Sequence, residues 1–319
     1  MKASLRVSVV IATHNRAGLV RQAIQSALEQ TVQPLEIVVV DDGSTDSTPR
    51  VLAEFGNHIR IVHQPNQGRS AARNAGVNHC RGEVIAFLDS DDIWFPEKLA
   101  KQLVVLEAKP TLGLVHAFSD VVDENSVRLN QRTRYRQKLY RRALKRGYTY
   151  EGMSRECIMF LSTVAVRREC WKRVGPMDTA IPAFEDWDWY LRASRETEIV
   201  TIAETLVHFR QHPGNTASRE FFEGRVKTCR KHLALVDEWP QSARREQARR
   251  NFYLQLASAY YVHGSSSQAG KWMRRAVRID PTILLHPSHL RYSLAMILPA
   301  SLFNRMRRFG RQFSREPTN

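Results

Sequence analysis

Asp89, Asp91 and Asp92 place three carboxylates within four residues, at the end of a short apolar run over residues 84–88. A buried strand end cannot hold that much like charge unless something neutralises it. The Asp89-x-Asp91 spacing suits a hard divalent cation, Mg2+ or Mn2+. Alternate carboxylates on an extended tip reach one ion and leave positions for water and phosphate oxygens. The cargo of such a tip is a metal-bound nucleoside diphosphate. The plainer use of the same residues is a polar turn capping a helix expected from residue 94, with Asp92 as the cap. A second cluster, Glu185, Asp186 and Asp188, gathers carboxylates that raise one another's pKa. Its plainer use is the capped start of an amphipathic helix over 186–195. There Trp187, Trp189, Tyr190 and Leu191 pack inward, and at least one tryptophan serves the core rather than a sugar face.

These acids stand out because the chain is basic, with 48 Lys and Arg against 32 Asp and Glu and a net charge of +16. Such a balance calls for an anionic partner: a phosphorylated substrate, an acidic lipid surface or nucleic acid. Nucleic acid fits poorly, since clustered carboxylates repel phosphates. The cations concentrate in residues 128–146, which hold no acid, and again at Arg305, Arg307, Arg308, Arg311 and Arg315. For residues 120–150 the plain reading is a solvated helical face, and the functional one is contact with a phosphorylated acceptor or anionic headgroups. The four cysteines lack metal spacing and read as free thiols in a reducing compartment. No signal peptide and no membrane-spanning run is expected. A cytoplasmic protein is therefore the expectation, peripheral attachment to the inner face of the cell membrane included.

The elements that must position the acids are legible as apolar runs. Residues 7–12, 35–40, 59–62 and 84–88 read as buried parallel strands, because they are β-branched and lack alternation. Helical patterns separate them, with Val20, Ala23, Ile24 and Ala27 on one face of the first. Alternating strands and helices make an open α/β sheet of βαβ units. Ligands bind beyond the carboxyl ends of such strands. Three of those ends are polar: Thr13-His14-Asn15-Arg16, Asp41-Asp42-Gly43-Ser44 and Asp89-Ser90-Asp91-Asp92. No dinucleotide or P-loop glycine motif follows the first strand, which argues against a dehydrogenase or a P-loop ATPase.

Five blocks in order, residues 7–16, 39–46, 66–76, 82–92 and 184–188, resemble glycosyltransferase family 2. The resemblance implies the GT-A nucleotide-diphospho-sugar fold, a Rossmann-like open α/β sheet with a helical C-terminal extension. The implied transferase domain is 1–220, with a nucleotide-sugar half at about 1–118 and an acceptor half at 119–220. The basic helical extension is 221–319. The implied activity is inverting, metal-dependent transfer from a nucleoside diphosphate sugar, UDP-linked by preference, to a glycan or lipid-linked hydroxyl. Thr13, His14, Asn15, Arg16, Asp42, Gly43, Arg73, Asp89 and Glu185 would hold the donor, with Asp42 toward a uracil-type base and Arg73 near the diphosphate. Asp91 would contact the metal directly, Asp89 would bond ribose or reach the metal through water, and His212 would meet the diphosphate or the metal. Asp186 would be the base that takes the acceptor proton.

Residues 248–281 resemble a tetratricopeptide-type helix pair. The last thirty residues mix apolar side chains with arginines, as in a surface-lying anchor to an anionic membrane, a dimer contact or a docked helix. A sugar-phosphate nucleotidyltransferase shares the sheet and the metal carboxylates, but wants a Gly-rich cationic loop after the first strand, of which residues 13–18 are a poor version. A non-catalytic membrane or nucleic-acid binder explains the charge and leaves the acidic tips without purpose.

Overall fold

The computed structural model describes residues 5–212 and 218–285. They form two compact units. The first comprises residues 5–149, 158–180 and 185–212; the second comprises residues 150–157, 181–184 and 218–285.

In the first unit β1 (Val7–Thr13) leads to α1 (Ala17–Leu28), β2 (Glu36–Asp42), α2 (Thr48–Ala53), β3 (Arg60–Gln64), α3 (Arg69–His79) and β4 (Val84–Phe87). Four strands lie parallel in the order β3-β2-β1-β4. β1 and β4 are buried on both faces, so every position is apolar or small rather than alternating. The order turns over at β1, and in open α/β sheets such a switch point, at the carboxyl ends of β1 and β4, is where ligands bind. α3 packs directly on β1. A Cβ on Gly76 would lie 2.5 Å from Val10 Cγ1, so only glycine lets the helix approach this closely.

The chain continues through β5 (Ile93–Trp94), α4 (Lys98–Ala108), β6 (Leu114–Val122) and α5 (Asn130–Arg146). After α6 (Tyr150–Met153), which belongs to the second unit, come β7 (Val164–Arg167), α7 (Arg168–Val174), α8 (Glu185–Ala193) and β8 (Ile199–Arg210). The full sheet runs β3-β2-β1-β4-β7-β6-β8-β5. β7 is antiparallel to both β4 and β6, so β6 again points the same way as β4, and β8 runs parallel to β6. The carboxyl ends of β1, β2, β4, β6 and β8 therefore share one edge of the sheet.

Three expectations change. The helix expected from residue 94 begins at Lys98, because Ile93 and Trp94 pair with His208 and Val207 as an edge strand and Pro96 disfavours helix before it. β2 runs on through Asp41 and Asp42, which pair with His63 and Gln64. Backbone pairing is indifferent to side-chain polarity once each carboxylate has found donors. The sequence also reads as two short strands over 199–202 and 206–207, and these form one strand, kinked by register shifts about Phe118 on its neighbour β6.

In the second unit α9 (Ser218–Asp237), α10 (Ala243–His263) and α11 (Ser266–Ile279) follow α6. Ser242 caps α10 by accepting from the Arg245 N–H, and Gly264 ends it in the left-handed conformation that glycine tolerates. Phe252, Leu256 and Ala257 of α10, with Ala269, Met273 and Ala276 of α11, are fully buried. Asn251 ties α10 to α6 by donating to the Glu151 carbonyl and the Ser154 hydroxyl. The expected anchor in the last thirty residues lies outside the described residues. No described helix is long and apolar enough to cross a membrane.

Candidate active site

The end of β4 carries the acidic tip, and its three carboxylates take three different tasks. Asp92 is 1% exposed and accepts from the Ser162 hydroxyl at 2.5 Å and from the Arg210 N–H at 2.9 Å. It does not cap the following helix, as the sequence suggested; it fastens the end of β8 to the tip. Burial and the charges of Asp91 and Asp89 push its pKa well up. Ser162 also accepts from the Asp89 N–H at 3.0 Å, so one hydroxyl shapes the whole turn. No sequence signal marked Ser162, a lone serine in the short turn before β7.

Asp91 faces the other way. Its Oδ2 lies 3.0 Å from His212 Nε2 and 4.0 Å from Arg16 Nη2. Burial alone would raise its pKa, but the His212 hydrogen bond and the Arg16 charge hold it below the ordinary carboxylate value. A hard carboxylate oxygen and an imidazole nitrogen thus meet from β4 and the segment after β8. That donor pair suits Mn2+ or Mg2+ as part of a shell. Among the described residues no group of three His, Cys, Asp or Glu forms a complete cage. A cation held here would need further ligands from outside these side chains, such as phosphate oxygens and water.

Asp89 is held by Arg73 of α3. Arg73 Nη2 donates to Asp89 Oδ1 at 2.6 Å, and Nη1 donates to Glu185 Oε1. Burial opposes the charge of Arg73, yet the two carboxylates raise its pKa, so it stays a cation. The family resemblance implied Arg73 near a diphosphate; here its guanidinium joins the β4 tip to the start of α8. Asp186 follows Glu185 and is partly buried. Burial, then the Glu185 charge, raise its pKa to about 7, against the pull of Arg73 and the Trp187 N–H, which donates to Asp186 Oδ1 at 2.7 Å. A group that titrates there accepts protons readily at neutral pH. Phe184, just before the pair, has a φ of 63°, a left-handed conformation costly for an aromatic residue. Trp187 and Trp189 are each 1% exposed; both serve the core, and neither shows a face to a sugar.

The tips of β1 and β2 are laced together. Asn15, at φ 51°, takes the left-handed conformation that asparagine tolerates. Its side-chain oxygen accepts from the Thr45 N–H at 2.8 Å and from the Asp46 N–H at 3.2 Å. His14 Nδ1 donates to the Asp42 carbonyl at 2.9 Å, which leaves Nε2 to accept from the Asn15 and Asn66 amides. The Asp42 carboxylate accepts from Gln64 Nε2, the Gln67 N–H and the Gly68 N–H at 2.7–2.9 Å. Three of its four or so lone-pair positions are thereby taken. Gly43 has a φ of 74°, and a Cβ there would sit 2.7 Å from the Asn66 nitrogen. The crossing of the two loops therefore requires glycine. The Thr13 hydroxyl is buried and has no hydrogen-bond partner among the described residues. Arg16 links this lattice to Asp91, and so the donor-side and metal-side residues expected from sequence lie along one edge.

An open parallel half-sheet turning over at β1, joined to an antiparallel-mixed half, with acids at the strand tips, defines the GT-A nucleotide-diphospho-sugar transferase fold. S. aureus TarS 1-349 in complex with UDP-GlcNAc superposes with a TM-score of 0.66 at 17% identity, covering 99% of this chain and 94% of that one. Mannosyltransferase PcManGT from Pyrobaculum calidifontis, in complex with GDP-Man and Mn2+, gives 0.58 at 19% identity, covering 97% and 85%. Residues 8–166 match the Glycosyl transferase family 2 model. An uncharacterized glycosyltransferase of Nostoc sp. is 33% identical over 220 residues, 66% of each chain. The chain belongs to glycosyltransferase family 2. The match spans about two thirds of the length of the curated relatives.

Proposed function

We propose that the protein moves a sugar, with inversion, from a nucleoside diphosphate sugar to a hydroxyl of a surface glycan or lipid-linked acceptor, using a divalent metal. The observation that carries this reading is the Arg73 bridge, which ties Asp89 on the donor-side tip to Glu185, the neighbour of a carboxyl poised to titrate at about 7. As carboxylate, Asp186 takes the proton from the acceptor hydroxyl while the oxygen of that hydroxyl bonds to the anomeric carbon. The bond from that carbon to the diphosphate oxygen breaks on the opposite face, and the proton stays on Asp186. Asp91 and His212 would hold Mg2+ or Mn2+, which when bound neutralises charge on the leaving diphosphate. Arg16, beside Asp91, adds a permanent cation at the same place. The orphan Thr13 hydroxyl and the remaining acceptor position on Asp42 suit a ribose or base edge, with a uracil imide N–H as the preferred donor to Asp42. The TarS complex with UDP-GlcNAc supports a UDP-sugar.

The test is a donor panel of UDP- and GDP-sugars incubated with Mn2+ and candidate glycan acceptors, with release of nucleoside diphosphate measured. Turnover of one donor, lost in Asp186→Asn while nucleotide binding persists, is the expected result. Nucleotide binding with undiminished turnover in the variant would remove Asp186 from the role of base.

A further inference from the structure

We propose that the outer face of α5 is a docking surface for an anionic phospholipid bilayer. α5 buries Thr133, Leu139, Tyr140 and Ala143 against the sheet and turns Arg134, Lys138, Arg141, Arg142 and Lys145 to solvent. At 3.6 residues per turn these five cations occupy an arc of about 100°. They line an open recess of about 490 Å3 together with Gln137. The helix contains no acid, and none of the five pairs with one among the described residues. The pair of Arg128 with Asp120 lies before the helix. Surface cations in folded proteins usually sit among acids. Five unneutralised cations on one face are an electrostatic footprint for a surface of fixed negative charge.

Two exposed side chains flank the cationic arc, Tyr135 at 62% and Leu144 at 42%. A tyrosine and a leucine on either side of a lysine and arginine band match the headgroup and acyl boundary of a bilayer. A soluble polyphosphate or nucleic acid makes no use of the leucine, and a single tyrosine is a poor stacking platform.

The placement of α5 gives the contact a consequence. Its first turns pack on the carboxyl end of β6: Thr133 Oγ1 accepts from the Val121 N–H at 2.9 Å, and Gln137 donates to Asp120 at 3.3 Å. That end of β6 lies beside His208–Arg210 of β8, two residues before His212. Arg136 stacks on Phe160 at 3.5 Å, and Phe160 stacks on Phe209 at 3.8 Å. Docking of α5 therefore brings the catalytic edge of the sheet close to the bilayer, where a lipid-linked acceptor would be found.

The test is sedimentation of the full chain with phosphatidylcholine vesicles, with and without phosphatidylglycerol, for the wild type and for the variant combining Lys138→Gln, Arg141→Gln and Lys145→Gln. Wild type should partition only to the phosphatidylglycerol vesicles, and salt should release it. At about fivefold per juxtamembrane cation, the variant should partition about a hundredfold less. An unchanged thermal transition in the variant shows that it is folded. Equal partitioning of the two proteins, or no preference for phosphatidylglycerol, overturns the proposal. Displacement from these vesicles by single-stranded DNA at equal phosphate also overturns it, in favour of a nucleic-acid surface.

Discussion

Replacing Asp186 by Asn should cut turnover steeply and yet stabilise the fold in alkali. The acid is raised to about 7 from an ordinary 3.8, chiefly by burial and then by Glu185. A carboxyl whose folded pKa lies above its unfolded value binds its proton more tightly when folded. Its contribution is therefore present in acid and is lost as pH rises through the interval between the two values. At about 1.36 kcal/mol per pH unit the full interval corresponds to about 4 kcal/mol, and partial exposure reduces this to roughly 2–4 kcal/mol. Asn cannot ionise and escapes the penalty. For a unit of this size that is a rise of roughly 4–16 °C in Tm at about pH 8, and little difference at about pH 4. Trp187 and Trp189, buried in the same unit, report its unfolding by fluorescence. Loss of the base should cost on the order of 100-fold or more in turnover, and wild-type kcat/KM should rise with pH to a plateau above about 7. A variant less stable than wild type at both pH values, or one whose advantage does not grow with pH, would refute the reasoning.

Arg73→Gln removes the cation between Asp89 and Glu185 and leaves two carboxylates facing each other in a buried setting. It should cost about 3–5 kcal/mol in urea unfolding and most of the turnover; full stability would show that the bridge is not what holds α8 to the tip. Ser162→Ala deprives buried Asp92 of a donor and the Asp89 N–H of its acceptor. A loss of about 1–3 kcal/mol is expected, with weaker Mn2+-dependent UDP binding measured by calorimetry. Unaltered affinity would place Ser162 outside the shaping of the metal tip.

The parallel strands and their acidic ends were legible because a strand buried on both faces must be a continuous apolar run, and the acids interrupt that run abruptly. The same rule blurred the rest. β5 is two residues long, too short for any periodicity, and exists only because β8 lies beside it. The kink in β8 depends on its partner β6 rather than on its own residues. Asp92 looked like a cap because it precedes a helical pattern, whereas its partners, Ser162 and Arg210, lie 70 and 118 residues away. Arg73 carried a cation's chemistry in the sequence, but its bond to Glu185 crosses 112 residues and only the fold brings the two together. Trp187 and Trp189 have helical spacing that fits core and ligand alike, and burial decides for the core.

Calorimetric titration of UDP into the wild type and Asp91→Ala, with Mn2+ and again with chelator, tests the central claim most directly. Metal-dependent binding in the wild type that disappears both with chelator and in Asp91→Ala is the expected result. Binding that is indifferent to metal and to Asp91 would contradict a metal-held diphosphate at the β4 tip.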